Sequence, residues 1–254
     1  MTDTHTHIYF SEFDEDIDEV ISRSEESGVT YFILPNVDEE SLPLMKALHE
    51  KYPGKTSMAL GIHPTEVKED WPEIVEHFNK ELESGLYKGV GEIGMDLYWD
   101  QTTKELQKAA FESQLRLAQK YQLPVIIHSR NAFEETMEVV EKVKPTVPLI
   151  FHSFTGKSSD VERIRKGCDP YFGINGVVTY KNAPELRESL KTIGIDKIVL
   201  ETDAPYLSPV PHRGKRNDPT FIPFIRDKIA ECLEISPEEV ERITDKNAKE
   251  IFGF

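Results

Sequence analysis

Along the chain, short apolar runs alternate with longer stretches in which apolar positions recur every three or four residues. The short runs cover residues 3–8, 30–35, 56–63, 87–93, 123–129, 148–154, 171–175 and 197–203. Most are rich in Val, Ile and Leu without strict alternation, as strands buried on both faces are. The longer stretches read as helices. In residues 13–28, Phe13, Ile17, Val20 and Ile21 fall on one helical face, and Gly28 suits a C-terminal stop. Leu106, Ala110, Leu115 and Ala118 repeat the pattern, and residues 218–251 read as two further helices, the second opening on Ser236-Pro-Glu-Glu. Strand followed by helix, again and again, predicts an α/β protein: a closed (β/α)8 TIM barrel with extra C-terminal helices. An open doubly wound sheet is the competing architecture, but no Gly-x-Gly-x-x-Gly follows the first strand. No linker or low-complexity run interrupts the pattern, so residues 1–254 read as one domain.

The length of 254 residues agrees with the size of such a barrel, about 250 residues. Lys+Arg 30 against Asp+Glu 46 leaves a net charge of −16. That balance argues against a high-affinity duplex binder, which carries a broad basic face. No run approaches the roughly 18 apolar residues of a membrane span, and no basic-then-apolar leader opens the sequence. The two cysteines, Cys168 and Cys232, read as buried thiols in a reducing cytoplasm.

The candidate chemistry begins at "TDTHTHI". Side chains at i and i+2 of a strand share a face, so His5 and His7 project side by side with Asp3 below them, and two such imidazoles can grip one metal ion. His-x-His alone is weak, but further ligands occur near the carboxyl ends of other strands: Glu92 in "GVGEIGMD", His128 in "VIIHS", His152 in "LIFHS" and Asp203 in "VLETDAP". In a barrel these ends meet at one mouth. Asp3 and Glu201 would lie just beneath, and their natural partners are the free N–H groups of ligating histidines. Asp96 reads equally well as a loop residue.

"DTHTH", "GEIGMD", "HSR", "HSF" and "ETDAPYLSP…RGKRN" resemble the TatD family of metal-dependent deoxyribonucleases, amidohydrolase-like barrels, over the whole length. The resemblance implies that His5, His7, Glu92, His128, His152 and Asp203 hold two divalent ions. His5, His7 and Asp203 would serve one, His128 and His152 the other, with Glu92 bridging. Many related barrels bridge their ions with a carboxylated lysine on strand four. Here Lys88 lies about 13 Å down the strand from Glu92 and cannot do so. Mixed His and carboxylate donors suit Zn, Mn or Fe, whereas the family is described as Mg-dependent. Two ions would hold a hydroxide and polarise a phosphoryl oxygen, with Asp203 orienting the water and accepting its proton.

After strand eight, "PHRGKRNDP" places Arg213, Lys215 and Arg216 around Gly214 at the mouth, and both residue types bind phosphate. Arg130 and His63 are further phosphate contacts, although His63 reads equally as a core histidine. Tyr98, Trp99 and Tyr206 could stack on a base or pack locally. The expected function is a phosphodiesterase, a 3′-to-5′ exodeoxyribonuclease acting on DNA strand ends, with no membrane or obligate protein partner. The alternative is hydrolysis of another bond at the same site, an aminoacyl-tRNA ester or a small amide.

Overall fold

The computed structural model describes residues 1–254. Its parallel strands follow chain order around one sheet: β1 (Thr2–Asp3), β2 (Tyr31–Pro35), β3 (Thr56–Ala59), β4 (Tyr87–Asp96), β5 (Val125–Arg130), β6 (Leu149–Phe151), β7 (Pro170–Ile174) and β8 (Ile198–Leu200). The ring closes between last and first. The Thr4 N–H donates to Leu200 O at 2.9 Å, Asp203 N–H to His5 O at 2.9 Å, and His7 N–H to Ala204 O at 2.8 Å. Helices α1 (Ile17–Glu26), α2 (Leu42–Lys51), α3 (Trp71–Leu82), α4 (Lys104–Tyr121), α5 (Phe133–Val143), α6 (Ser158–Gly167) and α7 (Pro184–Ile193) connect successive strands. The tail adds α8 (Ile222–Leu233) and α9 (Pro237–Phe252). This is the expected TIM barrel with extra C-terminal helices.

The helix ends follow local chemistry. The Ser236 side chain accepts from the Glu239 N–H at the start of α9, satisfying a backbone donor that the helix itself leaves free. Gly28, at φ +87°, follows α1 in a conformation that costs a Cβ-bearing residue more.

Strand lengths depart from expectation in ways that shape the mouth. The chain bends at Thr4 and His5, so ladder pairing in β1 ends at Asp3, and β3 and β8 stop at Ala59 and Leu200. His5, His7, His63, His152 and Asp203 therefore sit on backbone just past strand ends. Conversely, β4 continues to Asp96 by pairing Gly94 with His128 and Asp96 with Arg130 of β5. Glu92 thus lies within its strand, and Asp96 at its end.

Two cores hold the barrel. A large cluster fills the space between the ring and its helices. A separate one gathers Ile33, Ala59, Ile126, Ile150 and Val199 from five strands with Ile251 and Phe252 from α9. The last helix thus supplies side chains to the strand interior, and Phe254 stacks on Tyr31 with ring centroids 3.7 Å apart. Cys168 and Cys232 are free and half-buried rather than fully buried. No helix is long and apolar enough to cross a membrane.

Candidate metal centre

Glu92 lies at the centre of the mouth, with imidazoles around both carboxylate oxygens. Its Oε2 lies 3.2 Å from His5 Nε2 and 3.7 Å from His7 Nε2. Its Oε1 lies 2.7 Å from His128 Nδ1, 2.8 Å from His152 Nε2 and 3.6 Å from His63 Nε2. Asp203 Oδ1 faces the first group, 3.6 Å from His5 Nε2 and 3.7 Å from His7 Nε2. His5, His7 and Glu92 could hold one cation, and His63, Glu92 and His128 another. Lys88 is exposed, outside this cluster.

Surrounding groups fix which ring nitrogens face inward. The Tyr9 hydroxyl has one proton, and it donates to the Pro35 carbonyl. Its contact with His7 Nδ1 at 3.1 Å is therefore one in which Tyr9 accepts. The proton sits on Nδ1, and Nε2 offers its lone pair to the centre. Burial, reinforced by the neighbouring His5, holds the His7 pKa well below the usual histidine range, so the ring stays neutral. His63 is held from its other side, with Nδ1 2.7 Å from the Thr65 hydroxyl and 3.2 Å from the Thr65 backbone nitrogen. Burial lowers its pKa to about 3, so the ring stays neutral, and its Nε2 faces Glu92.

Carboxylates orient two further rings. Asp96 Oδ2 lies 3.0 Å from His128 Nε2, directing Nδ1 at Glu92. Glu201 Oε1 lies 3.3 Å from His152 Nδ1 and accepts from the Ser153 N–H at 2.6 Å. Gly173 makes room for this buried carboxylate, since a Cβ there would lie 2.0 Å from Glu201 Oε2. Asp3 differs from expectation. It accepts from the Thr202 hydroxyl and the backbone N–H groups of Thr202 and His5, not from an imidazole. Burial raises its pKa to about 8 despite those bonds.

No lysine or arginine neutralises Glu92, Asp96, Glu201 or Asp203; only histidines pair with them. Burial favours protonation of Glu92, but the surrounding imidazoles, His152 foremost, and the bond from His128 outweigh it and hold its pKa well below the usual range. Burial likewise opposes charge on His128 and His152, yet their carboxylate partners raise both pKa values. Protons on these rings supply positive charge that a divalent cation would supply instead, and cation binding would displace them. The donors fit such an ion. Asp203 is the most accessible of the four carboxylates, its side chain 15% exposed, and burial raises its pKa to about 6.

The expected phosphate contacts divide. Arg130 at the end of β5, and Arg213 and Lys215 in the loop after β8, are exposed and form no ion pair. Arg130 lies over the Tyr98 ring, 3.8 Å from its centroid, and Arg213 over Tyr180, 4.2 Å away. Arg216 does not join them. Its guanidinium donates to both carboxylate oxygens of Asp16, at 2.9 and 2.6 Å, and to Glu12 O, and packs over Phe13. It ties the loop to the start of α1. His63 stands among the candidate ligands, its Nε2 3.6 Å from Glu92 Oε1, rather than at the rim. Tyr9 was not singled out from the sequence, where an aromatic two residues beyond His-x-His reads as core packing.

The family model described as TatD related DNase matches residues 2–253. The chain is 34% identical over 253 residues to the Bacillus subtilis protein named uncharacterized metal-dependent hydrolase YabD, covering 99% of this chain and 98% of that one. It is 31% identical over 259 residues to a protein of Erwinia billingiae named 3′-5′ ssDNA/RNA exonuclease TatD, covering 99% and 98%. The crystal structure of YJJV, a TatD homologue from Escherichia coli, superposes with a TM-score of 0.93 at 28% identity, covering 100% of this chain and 98% of the other.

Proposed function

The chain belongs to the family of TatD-related DNases and is a metal-dependent hydrolase, and we propose that it is a two-metal phosphodiesterase that removes nucleotides from the 3′ ends of nucleic acid strands. The observation that carries this reading is the division of the imidazoles around Glu92. His5, His7 and Asp203 would hold one ion, His128 and His152 the other, with Glu92 between them. Divalent ions there supply a low-pKa water and polarise a phosphoryl oxygen.

The protein's own groups do the rest. Asp203, open to the mouth, takes the proton of the attacking water. His63, whose Nε2 lies 3.6 Å from Glu92 Oε1, contacts the phosphate bound there. The unpaired Arg130, Arg213 and Lys215 hold neighbouring phosphates, local positive charge in a chain of net charge −16. Glu201 and Asp96 keep His152 and His128 turned inward. The exonuclease names of relatives such as the Erwinia billingiae protein support nucleic acid as substrate.

The test loads the protein with Mg, Mn or Zn and compares hydrolysis of a small activated phosphodiester with that of a carboxylic ester. Preferential cleavage of the phosphodiester supports the reading. Preferential cleavage of the carboxylic ester shifts the same site to acyl chemistry.

A further inference from the structure

Beside the centre, the chain exposes aromatic rings that its own fold leaves uncovered. Tyr98 and Trp99 follow β4 after Leu97 and are 51% and 71% exposed, and their rings meet edge to face 4.8 Å apart. Arg130, at the end of β5, lies 3.8 Å over Tyr98 and 5.5 Å from Trp99. The group is tied to the centre by a short chain of bonds. Tyr98 N–H donates to Asp96 Oδ1 at 2.9 Å, and Asp96 Oδ2 lies 3.0 Å from His128 Nε2. Leu97 N–H donates to Arg130 O at 3.0 Å, which holds the two strand ends together.

From this geometry, and resting on the phosphodiesterase reading, we propose that Trp99, Tyr98 and Arg130 form a platform for an unpaired nucleobase of the strand engaged at the centre. Exposing a large indole costs hydrophobic stabilisation that burial would recover, so its uncovered face is available to a flat partner. A nucleobase stacks on such a ring whatever its sequence. Arg130 adds the complementary charge. It is an arginine with no carboxylate partner in a chain with 46 acidic residues, whereas Arg216 in the loop after β8 is paired. A stacked base leaves its phosphate beside that guanidinium. The platform takes a base freed from its stacked neighbours, because a base inside a duplex is covered on both faces.

The test uses the full-length, metal-loaded protein and a single-stranded oligonucleotide. Trp99→Ala removes no core packing and should lower kcat/KM on the intact strand about 5- to 150-fold, while Trp99→Phe, which keeps a ring, retains most of the activity. An abasic site is then walked along the strand from its 3′ end. At one position wild type should fall to the level of Trp99→Ala, and the variant should lose little more. Trp99 is one of two tryptophans, so base stacking should also quench fluorescence in wild type and in Trp71→Phe but not in Trp99→Phe. If wild type shortens the strand but Trp99→Ala matches it at every abasic position, the platform is overturned and the nuclease reading stands. If wild type does not shorten the strand at all, the nuclease reading fails and the platform with it.

Discussion

A single hydroxyl decides which nitrogen of His7 faces Glu92. Because Tyr9 donates to Pro35 O, it can only accept from His7, and the lone pair on Nε2 points inward. Tyr9→Phe removes that acceptor and lets the ring adopt either tautomer. The expected outcome is a 10–100-fold loss of metal affinity, the size seen when a partner of a ligating histidine is lost, with the fold intact. Isothermal titration of metal into stripped protein checks it, and unchanged affinity would remove Tyr9 from the account. The residues around the centre were unevenly legible in the sequence. His5, His7, Glu92, His128, His152 and Asp203 stand in short motifs near strand ends, so the barrel topology alone brings them together. The tautomer of His7 depends on Tyr9, whose bond to Pro35 no residue pattern announces. Asp3 shares the face of His5 in the sequence but bonds to Thr202, 199 positions away.

Among the elements, the loop after β8 is where expectation and structure part most clearly. "RGKRN" reads as a uniform basic run, yet Arg213 and Lys215 stay free while Arg216 is committed to Asp16, 200 residues earlier in the chain. A long-range pair of this kind leaves no trace in local sequence. Arg216→Ala should therefore lower stability by about 1 kcal/mol, roughly 2–4 °C in Tm for a chain of this size. The sign of its pH dependence follows from Asp16, whose carboxyl the hydrogen bond from Arg216 holds below the usual range. A depressed carboxylate stabilises the fold above its unfolded pKa and loses that contribution as pH falls through its folded pKa. The Tm gap between wild type and Arg216→Ala should thus narrow below about pH 4, which thermal melts across a pH series measure. Arg213→Ala should leave Tm within about 1 °C and weaken oligonucleotide cleavage instead. If the two arginines behave alike, the distinction drawn between them is wrong. The strand pattern itself was readable because buried parallel strands are continuous apolar runs. Their ends were not, because the bend at Thr4 and His5 and the extension of β4 to Asp96 are set by neighbouring strands.

At the scale of the whole molecule, the barrel turns eight separate strand ends into one anionic cup closed by histidines. Cation binding should stabilise this cup against its own repulsion. An ion present at about 100 times its Kd adds about 2.7 kcal/mol, so chelation should lower Tm by roughly 5–10 °C. Glu92→Ala should lose most of that chelator-sensitive increment, as differential scanning calorimetry with and without metal will show; an increment preserved in the variant would deny Glu92 its place between the ions. The central claim is that these ions and the surrounding residues cleave phosphodiesters from a 3′ end. A single-stranded oligonucleotide labelled at its 5′ end, incubated with stripped and with metal-reloaded protein, tests it most directly. The account predicts a metal-dependent ladder of products shortened one nucleotide at a time from the 3′ end, absent with Glu92→Ala. An intact oligonucleotide in the presence of metal, under conditions where the same preparation hydrolyses an aminoacyl ester, would contradict it.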